Sequence, residues 1–268
     1  MKQVTLEGTN LRTSRFIFGT ASLFNVGLRR RRISLLETAI DNGFTHFDTA
    51  PYYGFGWAER DLGAVLKKHP GVSVTTKVGI YSAGGEFQSQ PSVLIRKALG
   101  KAIPQFSRPG IDFSVARARQ SLTDSLRRMR CEQVAAYMLH EPEIDLLDTD
   151  EWQRWLDAEV GAGRVGVFGL ALTADRLVPF LQRASGLSRL VQVLDSLAQR
   201  EADVLSTFGK PLQITYGYVS AAKAAGASAS VEEILREALA RNPSGALIVS
   251  TTKPERMSQY AALLENKS

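Results

Sequence analysis

Cysteine is almost absent: the 268 residues contain one, Cys131. An intramolecular disulfide is therefore excluded, as is a thiolate-built metal cluster, and a reducing cytoplasm is the expected compartment. No apolar stretch approaches the roughly 20 residues that a membrane-crossing helix needs. Met1 to Asn10 is polar and lacks the apolar stretch of a signal peptide. No Gly-x-Gly-x-x-Gly follows a strand-like run, which removes the fingerprint of an open-sheet dinucleotide fold. Low-complexity tracts and linker-like stretches are missing too, so residues 1–268 are expected to form one domain.

What is present is globular. Hydrophobic residues make up 44% and charged residues 22%, enough apolar content for a large buried core. The net charge is +6, with a pI near 9.5. Arg29-Arg30-Arg31-Arg32 could suggest a nucleic-acid patch. It has no interleaved aromatics and leads straight into an amphipathic helix pattern, so it reads as a solvated helix start. Neither nucleic acid nor a membrane is expected as a partner. A basic surface also suits an anionic nucleotide cofactor.

Apolar β-type runs recur along the chain at Phe16–Phe18, Phe44–Phe47, Val72–Lys77, Val134–Leu139, Val165–Leu170, Leu190–Leu194, Leu212–Tyr216 and Ala246–Val249. Helical patterns lie between most of them. Ile33, Leu36 and Ile40 follow i, i+3, i+7; Val231, Ile234, Leu235 and Ala238 follow i, i+3, i+4, i+7, as do Met257, Tyr260, Ala261 and Leu264. Ser230 with Glu233 makes a capping box. Continuous apolar strands alternating with amphipathic helices imply a parallel sheet covered by helices. Eight such units favour an α/β fold of the closed (β/α)8 TIM-barrel type. Val4–Leu6 and Leu11–Thr13 flank Gly8-Thr9-Asn10 and read as an N-terminal β-hairpin.

Chemistry concentrates at the expected strand ends. The second run leads into Asp48-Thr49-Ala50-Pro51-Tyr52-Tyr53-Gly54, which places a carboxylate and a phenol five residues apart. Lys77 ends the third run and His140 the fourth. In a barrel such ends converge on one mouth. The set can move a proton to a carbonyl oxygen: Asp48 would hold Lys77, whose ammonium would lower the phenol of Tyr53 from its usual pKa of about 10, and His140 would donate or relay. Taken singly, Asp48 could be a strand-end cap, Lys77 a surface lysine and Tyr53 a packed rim aromatic. Ser250-Thr251-Thr252-Lys253-Pro254-Glu255-Arg256 ends the eighth run and opens a helix, where free amides attract phosphate. Lys253 and Arg256 could reach one anion, or could simply decorate a helix start. Residues Tyr81 to Asp112 form the longest irregular stretch, read as a lid or substrate loop over the catalytic face, with a disordered insertion as the alternative. Phe24, Trp57, Tyr81 and Tyr218 could line an apolar pocket or merely pack.

Together these residues resemble the aldo-keto reductase superfamily along nearly the whole chain, as a short member. The carriers are Phe18-Gly19-Thr20, Asp48-Thr49-Ala50-x-x-Tyr53-Gly54 with Glu59 and Leu62-Gly63, Ser121 to Met129, and the Thr251 to Arg256 segment. The resemblance implies a catalytic set of Asp48, Tyr53, Lys77 and His140. It implies NADPH as cofactor, held by Gly19, Thr20, Gln192, Tyr216, Ser250, Thr251, Lys253 and Arg256, with Gln192 and Tyr216 at the nicotinamide and the Thr251 to Arg256 segment, through Lys253 and Arg256, at the 2′-phosphate. No metal is implied. The expected reaction is hydride transfer to an aldehyde or ketone, with Tyr53 as general acid. A sugar dehydrogenase, or a nucleotide-binding sensor with little turnover, is the alternative. Departures stand out. The family's Ser-Asn after the fifth strand is Ala171-Leu172, its adenine-contacting Glu-Asn is Gln259-Tyr260, and the segment after Tyr216 is short. The long C-terminal loop of many members has no counterpart in these residues.

Overall fold

The computed structural model describes residues 1–93, 95–96 and 108–265. Strands β1 (Gln3–Thr5) and β2 (Arg12–Ser14) form the expected antiparallel hairpin. Then come β3 (Phe16–Gly19), β4 (His46–Asp48), β5 (Ser73–Val78), β6 (Ile80–Tyr81), β7 (Gly110–Ile111), β8 (Val134–His140), β9 (Val165–Leu172), β10 (Leu190–Leu194), β11 (Ile214–Tyr216) and β12 (Ala246–Val249). Strands β3, β4, β5, β8, β9, β10, β11 and β12 close into one barrel, and β12 returns to β3. Neighbouring strands in it are parallel. Each of the eight apolar runs thus supplies one barrel strand.

Helices cover the outside because their capping and apolar stripes favour it. Val231–Arg241 opens on the full capping box, with Ser230 N donating to Glu233 Oε2 at 2.7 Å and Glu233 N donating to Ser230 Oγ at 3.2 Å. Asp148 caps Thr149–Gly161 by accepting from Glu151 N, and Ser114 caps Val115–Met129 by accepting from Arg117 N. The stripes pack on the outward strand residues: Phe16, Phe18, Phe47, Phe168, Trp152 and Leu235 belong to this outer core. A smaller cluster fills the barrel itself, with Ile17, Met138, Leu190 and Ile214 meeting Leu6 and Leu11 of the hairpin. Leu190, Ile214 and Ala246 start their strands, so the hairpin plugs the amino-terminal end and leaves the other mouth for a site.

Two expectations need correcting or restricting. Helix Arg29–Asp41 starts where the arginine run suggests, but Arg32 is not solvated: it is 1% exposed and its Nε donates to Asp61 at 2.5 Å. The packing of Trp57–Leu66 against this helix explains the burial, because Asp61 supplies a buried counter-charge. The stretch Tyr81 to Asp112 is pinched at its base by the β6–β7 pair, and the lid expectation lies partly outside the described residues. No helix among the described residues is long and apolar enough to cross a membrane.

Candidate active site

Side-chain alternation along a strand sends every second residue into the barrel. On β4 the inward row is His46 and Asp48; on β5 it is Ser73, Thr75 and Lys77. On β8 it is Ala136, Met138 and His140, and on β10 Leu190, Gln192 and Leu194. Lower members fill the interior, as where His46 Nε2 meets Thr75 Oγ1 at 2.7 Å and Ala136, Met138 and Leu190 pack together. Asp48, Lys77 and His140 stand last in their rows, facing the open mouth, and Gln192 stands one step before the end of its own, which Leu194 closes. Tyr53 comes from the turn before helix Trp57–Leu66. That turn holds Gly54 at φ 58° and Gly56 at φ 82°. A Cβ on Gly56 would meet the Glu86 carbonyl oxygen at 2.2 Å, so only glycine fits.

The structure brings the sequence-predicted Asp48, Tyr53, Lys77 and His140 together. Lys77 Nζ donates to both Asp48 oxygens, at 2.7 and 2.6 Å, and to the Thr49 carbonyl at 3.0 Å. The ammonium lies 5.1 Å from the Tyr53 ring centre. The Tyr53 and His140 rings are 6.0 Å apart and nearly perpendicular, and Tyr52 packs against both. Burial pushes Asp48 upward and Lys77 downward, and their contact opposes both shifts. Burial, then the nearby Lys77 charge, drives His140 well below the usual histidine range, so its imidazole is neutral. Tyr53 contradicts the expectation of a lowered phenol: burial first, then the Asp48 charge, raises it well above 10. Lys77 is committed to Asp48, so its positive charge is largely cancelled at the phenol.

The residues expected to hold a cofactor divide into two groups. Gln192 is 5% exposed, its amide bonds Asp48, and its Oε1 has no hydrogen-bond partner among the described residues. An orphaned buried acceptor at the mouth fits a ligand that brings an N–H donor, such as a carboxamide. Tyr216, Ser250, Thr251, Lys253 and Arg256 line a cleft of about 510 Å³, together with Tyr218 and Lys223. Ser250 Oγ donates to the Gly19 carbonyl at 3.0 Å, and a Cβ on Gly19 would come within 2.6 Å of that hydroxyl. Thr20 lies elsewhere. It is 1% exposed, and its hydroxyl bonds the Asp48 carbonyl and the Thr49 hydroxyl. Its side chain braces the Asp48 strand end instead of lining the cleft. Ala171 and Leu172 are packed in β9 and offer no polar side chain.

Glu141 is a site residue that sequence reasoning missed. It has a left-handed backbone, φ 50°. Its Oε1 accepts from Tyr216 Oη at 3.4 Å and its Oε2 from Thr173 N at 3.3 Å. Its charge contributes to raising Tyr52, Tyr53 and Tyr216. The available signal was its position directly after the strand-ending His140. Of the four candidate pocket aromatics, Tyr218 lines the cleft. Phe24 packs over Gly54, Tyr81 is buried beneath Arg117, and Trp57 sits among arginines outside the barrel. Beside Tyr53 a separate cavity of about 260 Å³ is bordered by Ala21, Tyr52, Phe55, Ser82 and Pro109.

Residues 15–180 match the aldo/keto reductase family. A D-threo-aldose 1-dehydrogenase from Pseudomonas sp is 33% identical over 132 residues, which cover 46% of this chain and 40% of that relative. A 6-dehydroglucose reductase from Agrobacterium fabrum is 29% identical over 140 residues, covering 51% and 41%. The matched stretches therefore span less than half the length of these curated relatives. Among solved structures, an aldo-keto reductase from Bacillus halodurans in its holo form superposes with a TM-score of 0.76 at 18% identity, over 100% of this chain and 92% of that one. An aldo-keto reductase from Klebsiella pneumoniae in complex with NADPH gives 0.66 at 19%, over 99% and 90%. At these identities the structural likeness establishes a shared fold. The family match covers more than half of the sequence, and on that ground the chain belongs to the aldo/keto reductase family.

Proposed function

We propose that the protein is an NADPH-dependent reductase of small aldehydes or ketones, and that Tyr53 is its general acid. The observation that carries this reading is the buried Lys77–Asp48 pair with the Tyr53 phenol and the neutral His140 imidazole around it at one mouth. The orphaned Gln192 Oε1 and the Tyr216 ring would hold the nicotinamide end of NADPH, and Lys253 with Arg256 would pair with its 2′-phosphate. The bound cofactor supplies the hydride that reduces the carbonyl carbon. Tyr53 gives its phenolic proton to the carbonyl oxygen, so carbon and oxygen together gain the two hydrogens of the alcohol. His140, neutral and with Nδ1 unpartnered among the described residues, orients that oxygen by hydrogen bonding. Lys77 stabilises the phenolate left behind, and Asp48 keeps Lys77 in place.

A raised phenol favours this direction, because Tyr53 keeps its proton through neutral pH. Sugar oxidation by the same site is the second reading, favoured by the D-threo-aldose 1-dehydrogenase and the Arabidopsis thaliana L-galactose dehydrogenase among the relatives. The test is turnover of NADPH and NADP⁺ across aldehydes, ketones and sugars. Carbonyl-dependent NADPH oxidation is the expected result. Sugar-dependent NADP⁺ reduction alone would select the second reading. Binding of NADPH without consumption across the panel would overturn both.

A further inference from the structure

We infer that an arginine-lined groove on the outside of the barrel, separate from the cofactor cleft, binds a compact multivalent oxyanion of the di- or triphosphate class. The groove lies beside helices Trp57–Leu66 and Val115–Met129. It consists of two cavities of about 460 and 570 Å³ that share Arg29, Trp57, Arg60 and Phe87. Arg127, Arg128 and Arg130 complete the wall, and no acidic residue among those described lines it.

Charge is unbalanced there. Asp61 serves both Arg29 and Arg32, Glu59 serves Arg128, and Asp124 serves Arg127. Arg60 gives its Nη1 and Nη2 to the carbonyl oxygens of Gln88 and Glu86 at 2.9 Å each. Six arginines, counting Arg32 behind the wall, thus face three carboxylates. The guanidinium groups of Arg60, Arg127 and Arg128 gather within 5.5, 4.4 and 5.0 Å of the Phe87 ring centre, and Arg60 also stacks on Trp57 at 4.7 Å. Aromatic faces attract cations but carry no net charge. Two donors at this wall lack partners among the described residues: Nη1 of Arg128, which is 5% exposed, and Nε1 of Trp57. Buried donors without acceptors are uncommon. A multivalent oxyanion in the groove, after a small shift of the Phe87 ring, would supply both the acceptors and the missing negative charge. The arginines converge on one ring instead of running along a track, which favours a small anion over a nucleic-acid strand.

The test is calorimetric titration of the full chain with inorganic pyrophosphate, in the wild type, Arg60→Gln, Arg130→Asn and a Lys253→Ala/Arg256→Ala double variant. Arg130 is exposed at φ 55°, a conformation asparagine tolerates, so that variant keeps the fold even if Arg60→Gln does not. Saturable binding is expected, weakened roughly tenfold in Arg60→Gln or Arg130→Asn. It should weaken with added salt and survive in the Lys253/Arg256 variant. Absence of saturable binding would overturn the proposal. So would unchanged affinity in both groove variants, or loss only in the Lys253/Arg256 variant. Tight binding of a DNA duplex without pyrophosphate binding would assign the groove to nucleic acid and overturn it as well.

Discussion

Burial and the Asp48 carboxylate both oppose ionisation of Tyr53, so the phenol meets a substrate with its proton in place. Tyr53→Phe keeps the ring and removes that proton. General acid catalysis is worth roughly 10²–10⁴ in rate, so kcat for carbonyl reduction should fall by that order while NADPH affinity stays nearly constant. A variant that keeps most of its turnover removes Tyr53 from the role. His46 makes a different point, about stability. Its imidazole bridges Ser73 and Thr75 inside the barrel, and burial holds it down to a pKa of about 3. An unfolded histidine titrates near 6.5. Between those values the unfolded chain binds the extra proton, so stability is full above about 6.5 and is lost as pH falls towards 3. The loss is at most about 1.4 kcal/mol per pH unit from this group. Tm measured from pH 7 to 4.5 should fall, and His46→Gln should flatten that slope. Equal slopes in both proteins would assign the acid sensitivity to other groups.

At the level of elements, the barrel depends on close strand approach between β9 and β10. A Cβ on Gly169 would lie 1.8 Å from the Leu190 carbonyl oxygen, so the backbones must separate to admit any side chain. Gly169→Ala should cost roughly 1–3 kcal/mol as an overpacked site, read by denaturant unfolding; an unchanged midpoint would mean that the strands yield freely. The β12 end carries a prediction about cofactor choice. Lys253, just before helix Glu255–Glu265, and Arg256, in its first turn, line the cleft. Charge-assisted bonds contribute roughly 1.5–3 kcal/mol each. The Lys253→Ala/Arg256→Ala variant should therefore bind NADPH at least about tenfold more weakly and NADH nearly unchanged. Equal weakening of both would argue against 2′-phosphate recognition.

For the molecule as a whole, the wall of the cleft lined by Tyr216, Lys253 and Arg256 is slight after β11. The short helix Tyr218–Ala224 is what stands between Tyr216 and the loop before Val231. With so little chain to fold over a bound nucleotide on that side, lid opening is not expected to limit turnover. Hydride transfer should then be at least partly rate-limiting. Deuterium at the transferred position should slow steady-state turnover, and rapid-mixing traces should lack a burst of NADPH oxidation. A burst without an isotope effect on kcat would mean that release is slow and that another segment covers the cleft.

Periodicity, capping and strand-end chemistry are local, and the sequence by itself determined what depends on them. The eight apolar runs became the eight barrel strands, Ser230 with Glu233 formed its capping box, and Asp48, Lys77 and His140 fell at strand ends because inward rows repeat every second residue. Tertiary structure decided what depends on partners distant in sequence. Arg32 looked solvated until Asp61, 29 residues later, met it in the buried layer between two helices. Thr20, 28 residues before Asp48, was set with its hydroxyl on the Asp48 carbonyl only by barrel closure. Trp57 turned away from the mouth into an arginine groove. Glu141 entered the site only because β8 and β11 bring it to Tyr216 across the mouth. The direction of the Tyr53 shift was likewise settled by burial and by the charge of its neighbours, which depend on how the barrel closes and not on spacing along the chain.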